Sequence, residues 1–233
     1  MLDRSLIAGL PAFAAMSDDE LGLVLRGARS SRHPRNSEIF SQGQEAASFF
    51  LLLSGHVRVV QTTPSGEQLI ARYINEGELF GIAVAMGRES YPAAAVAAVD
   101  CIVLTWANSE WTRLQAAVPA FAAAAYQTIG ARLQETQERV VEMATEQVDQ
   151  RVAQALLRLV ERSGRKTDAG VEIDFPITRQ NIAEMTGTTL HTVSRLLSAW
   201  QVDGLVGGSR QKVTVTDPQG LQLLAENRRQ RSD

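Results

Sequence analysis

The sequence predicts an α+β chain in three consecutive parts: a β-roll over residues 1–117, a long helix over 118–148, and a helical corner closed by a β-hairpin over 149–233. Three observations carry this reading. Glycine-punctuated runs of strand type fill the stretch from Glu38 to about Ala107, an apolar spacing of four and three runs from Val118 to Arg162, and two short amphipathic segments meet at Gly187.

Residues 1–28 read as short helices, with Ser17 before Asp18, Asp19 and Glu20 as a capping signal ahead of Leu21, Val24 and Leu25. The period then changes to that of strands: SFFLLLSGHVRVVQ, a turn at Thr63-Pro64-Ser65-Gly66, EQLIARYI, then EGELFG. Strands this closely spaced predict a small barrel or roll. From Val118 the helical period returns, and Ile129, Leu133, Thr136, Val140, Met143 and Gln147 form a heptad seam flanked by Arg132, Glu135, Arg139 and Glu142. Such a seam predicts a homodimer, with Ile129, Leu133, Thr136, Val140 and Met143 at the interface. After Gly164 a polar stretch, GRKTDAG, leads to EIDF, and GLVGGSRQKVTVTD has the alternation of a β-hairpin wing.

The segment ITRQNIAEMTGTTLHTVSRLLSAWQVDGL, residues 177–205, decides the functional reading. Thr178 is suited to cap a first helix, with Ile182 and Met185 on its inner face. Gly187 supplies the turn, and Thr188 or Thr189 caps a second helix running to about Trp200. Val193, Leu196, Leu197 and Trp200 recur at three and four and face inward, leaving Leu190, His191, Ser194 and Arg195 outward near the helix start. Two helices at a tight corner followed by a wing are the layout of a winged helix-turn-helix, which places its second helix in the major groove of double-stranded DNA. Arg195 is the expected base reader, because a guanidinium donates two hydrogen bonds to guanine O6 and N7. The wider set of expected DNA contacts is Thr178, Arg179, Gln180, Thr189, His191, Thr192, Ser194, Arg195 and Lys212.

Composition narrows the alternatives. The net charge of -3 excludes a general polycation, but the charge is unevenly placed. Residues 1–145 hold 11 Lys and Arg against 15 Asp and Glu, whereas residues 146–233 hold 12 against 11, so phosphate contact falls to local clusters such as Arg179, Arg210 and Lys212. A single cysteine, Cys101, excludes an intrachain disulfide, and the start MLDRSLIAGL carries an acidic residue followed by too short an apolar stretch for a secretory signal. No apolar run approaches the roughly 20 residues of a membrane span, so a cytoplasmic protein without membrane partners is expected. No HExxH, GxSxG, Walker-type or paired-carboxylate motif is present, and no enzymatic activity is expected.

The order of roll, long helix and winged helix-turn-helix resembles the Crp/Fnr superfamily of transcription regulators across nearly the whole chain. The resemblance rests on Phe49-Phe50-Leu51-Leu52-Leu53-Ser54-Gly55 with Val57-Arg58-Val59, on Gly77-Glu78-Leu79-Phe80-Gly81, and on Ile177-Thr178-Arg179-Gln180 with Thr192-Val193-Ser194-Arg195. It implies a cyclic-nucleotide-binding-like roll that accepts an effector, a central dimerisation helix, and a homodimer binding a palindromic operator with TTG-type half-sites, contacting RNA polymerase if it activates. The effector pocket is expected around Gly77, Glu78, Leu79, Gly81, Ile82, Tyr91, Pro92, Thr136 and Gln137.

Departures from the family pattern bear on the effector. Ile82 stands where cyclic-AMP-binding members carry a Glu for the ribose, and Tyr91-Pro92 where they carry an Arg-Ser pair for the phosphate. Without that guanidinium a buried phosphate lacks a counter-charge, so cyclic AMP is not the expected ligand. A lone Cys101 also excludes an iron-sulfur cluster within one chain. Tyr91-Pro92-Ala93 and the run Gly187 to Arg195 resemble the cluster-free, nitric-oxide-responsive NnrR or DNR-like branch. That resemblance implies haem as cofactor, with His56 the first candidate axial ligand and His33 and Cys101 behind it. His191 replaces the Glu common in relatives, which alters readout at that base pair.

Overall fold

The computed structural model describes residues 7–226, so the first residues of the stretch weighed as a secretory leader, and the last residues of the third predicted part, lie outside it. Contacts divide the chain into two compact units: residues up to 135 apart from 68–70, and residues 68–70 with those from 136 onward.

In the first unit helix α1 (Asp18–Arg26) has a capping box of the expected form: the Ser17 hydroxyl accepts from the Glu20 amide and the Glu20 carboxylate accepts from the Ser17 amide. Eight strands follow: β1 (Arg29–His33), β2 (Glu38–Phe40), β3 (Ser48–Ser54), β4 (Val57–Thr62), β5 (Gln68–Ile74), β6 (Leu79–Phe80), β7 (Ala94–Ala97) and β8 (Cys101–Ala107). They form two four-stranded sheets, ordered β1-β8-β3-β6 and β2-β7-β4-β5. Strand β3 shows why the run FFLLL is apolar throughout. Its pleat sends Phe49 and Leu51 into a cluster with Phe13, Val24, Trp106, Trp111 and Phe121, and sends Phe50 and Leu52 into the roll interior with Phe40, Phe80 and Tyr91. A strand covered on both faces cannot alternate polar and apolar residues. The Trp106 indole, fully buried, donates to the Val24 carbonyl at 2.9 Å and fixes α1 against that sheet.

Strand β1 departs from expectation, since RSSRH has no apolar alternation and the sequence places the first strand at Glu38. Backbone pairing with β8 creates it: Arg29 to His33 run antiparallel to Thr105 to Cys101. His33 therefore ends a strand.

Helix α2 (Trp111–Ala117) leads to the long helix α3 (Pro119–Thr145). The expected helix over 118–148 ends earlier, because Gln147 is the N-cap of α4 (Val148–Ser163) and exchanges capping hydrogen bonds with Gln150. Gln147 thus drops out of the seam. The division between the units falls within α3, whose second half belongs with the C-terminal unit, where the Arg139 guanidinium donates to the Met185 carbonyl.

In the second unit the polar stretch GRKTDAG is β9 (Gly164–Thr167) and a turn into β10 (Gly170–Ile173). Helices α5 (Arg179–Thr186) and α6 (Leu190–Val202) form the corner, β11 (Val206–Ser209) and β12 (Lys212–Val215) the wing, and α7 (Pro218–Ala225) follows. The sheet order is β11-β12-β10-β9. Val152, Leu156, Ile182, Val193, Trp200 and Leu221 are among its buried residues.

Candidate nucleic-acid interface and effector pocket

The corner is built by its caps. The Thr178 hydroxyl accepts from the Asn181 amide at 3.1 Å while the Asn181 side chain accepts from the Thr178 amide at 3.1 Å, which starts α5. Gly187 ends it at φ 61°, the left-handed conformation that favours glycine. Two residues on, the Thr189 hydroxyl accepts from the Thr192 amide at 3.2 Å and starts α6. Helical spacing then puts His191 and Arg195 on one outward face, both exposed, with Leu190 beside them at 48% exposure and Ser194 half-buried. Val193, Leu197 and Trp200 are buried as expected, and Leu196 is half-buried.

An open cleft of about 640 Å³ lies between this corner and the wing, with Thr178, Arg179, Gln180, Leu190, Ser209 and Arg210 on its walls. Arg210, at the wing tip, enters this cleft. Lys212 does not line it; its ammonium lies 3.5 Å from the Glu172 carboxylate, which Arg165 also engages at 2.9 Å. Hydrogen bonding by Arg165 in the first place, and then the Lys212 charge, hold the Glu172 carboxyl below its ordinary value.

The seam on α3 is exposed in the single chain: Leu133 is 59%, Val140 64% and Met143 53% accessible, with Thr136 also exposed and Ile129 half-buried. Tyr126, 46% exposed, stands seven residues before Leu133 and extends the row by one heptad. Its place directly after the alanine run 122–125 hides that row in the sequence.

Within the roll a cavity of about 120 Å³ is lined by Phe40, Phe80, Gly81, Ile82, Met86, Tyr91 and Pro92 together with two guanidiniums, Arg72 and Arg132. Of the expected pocket residues, Gly81, Ile82, Tyr91 and Pro92 line it. Gly77 and Leu79 do not, although the Leu79 carbonyl accepts from Arg132. Glu78 sits behind the wall, 2.9 Å from Arg72, and Thr136 and Gln137 are exposed on α3. Gly81 is required where it is, since at φ 62° a Cβ would fall 2.7 Å from the Phe50 ring.

The expectation that no guanidinium faces the pocket is overturned, because arginines arrive from elements other than the one that usually supplies them. Arg72 lies on the inward row of β5 with Ile70 and Ile74, and Arg132 follows Phe121 and Ala125 on the buried face of α3. Charged residues on apolar rows are the signal that would have found both. Burial, and then the charge of Arg72, lower the Arg132 guanidinium to about 9, against the opposing pull of Glu78 and Glu135. Arg72 also lies 3.8 Å from Glu135. The Tyr91 hydroxyl donates to the Ser48 carbonyl at 2.6 Å, and its ring stacks on Phe40 at 3.9 Å.

The candidate haem ligands do not meet at this cavity. The His56 Nδ1 is 3.0 Å from the Asn75 side-chain oxygen, and the His33 Nε2 is 2.9 Å from the Ser31 hydroxyl. Cys101 is buried and donates its S–H to the carbonyls of Val99 and His56; burial raises its pKa, which disfavours the ligating thiolate. None of the three lines the cavity, and among the described residues no group of three or more His, Cys, Asp or Glu is placed to hold a metal. At this cavity the three supply no axial ligand for a haem.

A β-roll, a long helix and a winged helix-turn-helix are together the parts of a DNA-binding regulator. Residues 31–117 match the cyclic nucleotide-binding domain family and residues 150–224 the Crp-like helix-turn-helix domain family. The chain is 30% identical to the nitrogen fixation regulation protein FixK of Azorhizobium caulinodans over 192 residues, 82% of this chain and 76% of that one. It is 29% identical to the cyclic AMP receptor protein of Thermus thermophilus over 217 residues, 93% of this chain and 97% of that one. The structure of FixK2 from Bradyrhizobium japonicum superposes with a TM-score of 0.74 at 23% identity, covering 84% of this chain and 96% of that one. The chain belongs to the Crp/Fnr family of DNA-binding transcription regulators. Among the described residues no helix is long and apolar enough to cross a membrane.

Proposed function

We propose that this regulator works as a homodimer in the cytoplasm, joined along α3, that binds a palindromic operator of TTG-type half-sites and is gated by a small molecule taken up in the roll. The observation that carries the DNA reading is the exposed row of Leu190, His191 and Arg195 on a doubly capped corner, beside a cleft edged by Arg179 and Arg210. Arg195 reads guanine, worth about 1–3 kcal/mol per half-site. Leu190, apolar and exposed at the helix start, packs on a thymine methyl. Thr178, Arg179, Gln180, Thr189, Thr192 and the wing residues Arg210 and Lys212 contact phosphates and sugars, which set register and carry no sequence information.

The effector reading follows from the cavity. At about 120 Å³ it falls short of the roughly 300–1,000 Å³ that drug-sized ligands occupy, and the buried Ile82 offers nothing to ribose hydroxyls. Cyclic AMP is disfavoured on those grounds. Nitric oxide sensing through haem lacks an axial ligand at the cavity, which favours a different small molecule. Arg132 on the cavity wall is followed by Leu133 on the seam, so an effector that engages Arg132 biases the dimer helix directly. If the regulator activates transcription, RNA polymerase is a further partner.

The test is fluorescence anisotropy with a palindromic duplex against a scrambled one. Wild-type protein prefers the palindrome, and Arg195→Ala binds both alike with a salt dependence close to wild type. Retained preference in Arg195→Ala contradicts the reading.

A further inference from the structure

The cavity wall carries two positive groups in a largely apolar surround, and its acidic partners stand behind the wall. Arg72 is held by Glu78 at 2.9 Å and, more loosely, by Glu135 at 3.8 Å, and neither carboxylate lines the cavity. The four side chains balance, two guanidiniums against two carboxylates. The space is that of about four water molecules, and Phe40, Phe80, Ile82 and Met86 give it an apolar floor.

We propose that the cavity binds a small organic monocarboxylate, its head between Arg72 and Arg132, where it replaces Glu135 as a partner of Arg72 from the cavity side, and its short apolar body against Phe40 and Phe80. Exchanging one carboxylate for another keeps the count of charges even in a low-dielectric site, where an unmatched charge is costly. A phosphate dianion leaves one negative charge in excess, and a neutral amide of the same shape leaves Glu135 where it is. Planar guanidiniums suit a carboxylate because they donate two parallel hydrogen bonds to it. Glu135 lies on α3 between Arg132 and Thr136, so its release from Arg72 falls on the helix that carries the seam. The inference rests on the roll being an effector site.

The test is isothermal titration calorimetry of the full-length protein with acetate, butyrate and benzoate, each against its amide, and with inorganic phosphate. The expected result is millimolar or tighter binding of at least one carboxylate, with its amide and phosphate weaker by at least tenfold. Glu135→Gln removes the competing acid and tightens that carboxylate about threefold, the ratio a partly exposed ion pair is worth, while Arg132→Gln loses it. Glu135 is half-buried, so its variant guards against a folding defect in Arg132→Gln. Binding of none of the carboxylates, equal binding of an amide, tighter binding of phosphate, or an unchanged Glu135→Gln each overturns the proposal. Operator preference measured on the same samples separates the two readings. Intact preference with no carboxylate binding sinks this inference alone, and carboxylate binding that leaves DNA affinity unchanged sinks the gating.

Discussion

Replacing Leu133 with aspartate probes the seam where the single chain leaves the most apolar surface open. Burying a whole Leu, Val or Met side chain yields roughly 1.5–3 kcal/mol. With Leu133, Val140 and Met143 at 59%, 64% and 53% exposure, each has about 1–1.5 kcal/mol still to gain. Two copies of the three give roughly 6–9 kcal/mol for the pair of helices, which sits within the roughly 4–15 kcal/mol that association costs in lost freedom. The margin is therefore narrow, and Tyr126 and Ile129 supply the rest. Leu133→Asp removes about 2–3 kcal/mol across the dimer and sets two carboxylates against each other, so association weakens by about a hundredfold or more. Sedimentation equilibrium at micromolar concentration reads this directly, with circular dichroism confirming that each chain keeps its fold. A variant that remains as dimeric as wild type refutes the seam, and with it the pairing of recognition helices.

Thr189→Ala removes the hydroxyl that caps α6 and costs about 1 kcal/mol, a fall in Tm of roughly 2–4 °C by calorimetry; an unchanged Tm contradicts the capping role. Replacing the half-site thymines by deoxyuridine deletes only their methyls, so wild type loses affinity at one of these positions and Leu190→Ala shows no further loss there; equal losses in both proteins contradict the Leu190 contact. Burial lowers the pKa of His33, so its neutral form is favoured in the fold. The stability it contributes is present above the ordinary histidine value of 6.5 and fades as pH falls through its lower folded value. His33→Gln therefore flattens the acid side of the Tm against pH profile, and a slope equal to wild type counts against this.

How much of this was legible depends on whether a residue's role is local. The caps at Ser17, Thr178 and Thr189 and the left-handed turn at Gly187 are set by their nearest neighbours, and sequence patterns name Ser17, Thr178 and Gly187 and narrow the remaining cap to Thr188 or Thr189. The run Phe49 to Leu53, closed by Ser54-Gly55, reads as a strand, and the structure adds that both of its faces are covered. Strand β1 was illegible for the opposite reason: its five residues take their conformation from β8, some seventy positions later. Gln147 fits a heptad numerically but is taken by the cap of α4. The cavity was the least readable part, since Arg72 and Arg132 lie sixty residues apart and meet only when β5 and α3 enclose the same space. Arg132 in particular looks like seam flank until the burial of Phe121 and Ala125 shows which face it shares.

The central claim is that two identical recognition helices, held by one seam, enter successive major grooves on the same side of a duplex. Half-sites about 34–36 Å apart satisfy that geometry, and inserting about five base pairs between them carries the second to the opposite face. Anisotropy titrations on the two duplexes decide it. The account predicts that the insertion reduces affinity to that of a scrambled duplex, and that a full-turn insertion of about ten base pairs restores part of it. Equal affinity for the original and half-turn duplexes contradicts the claim.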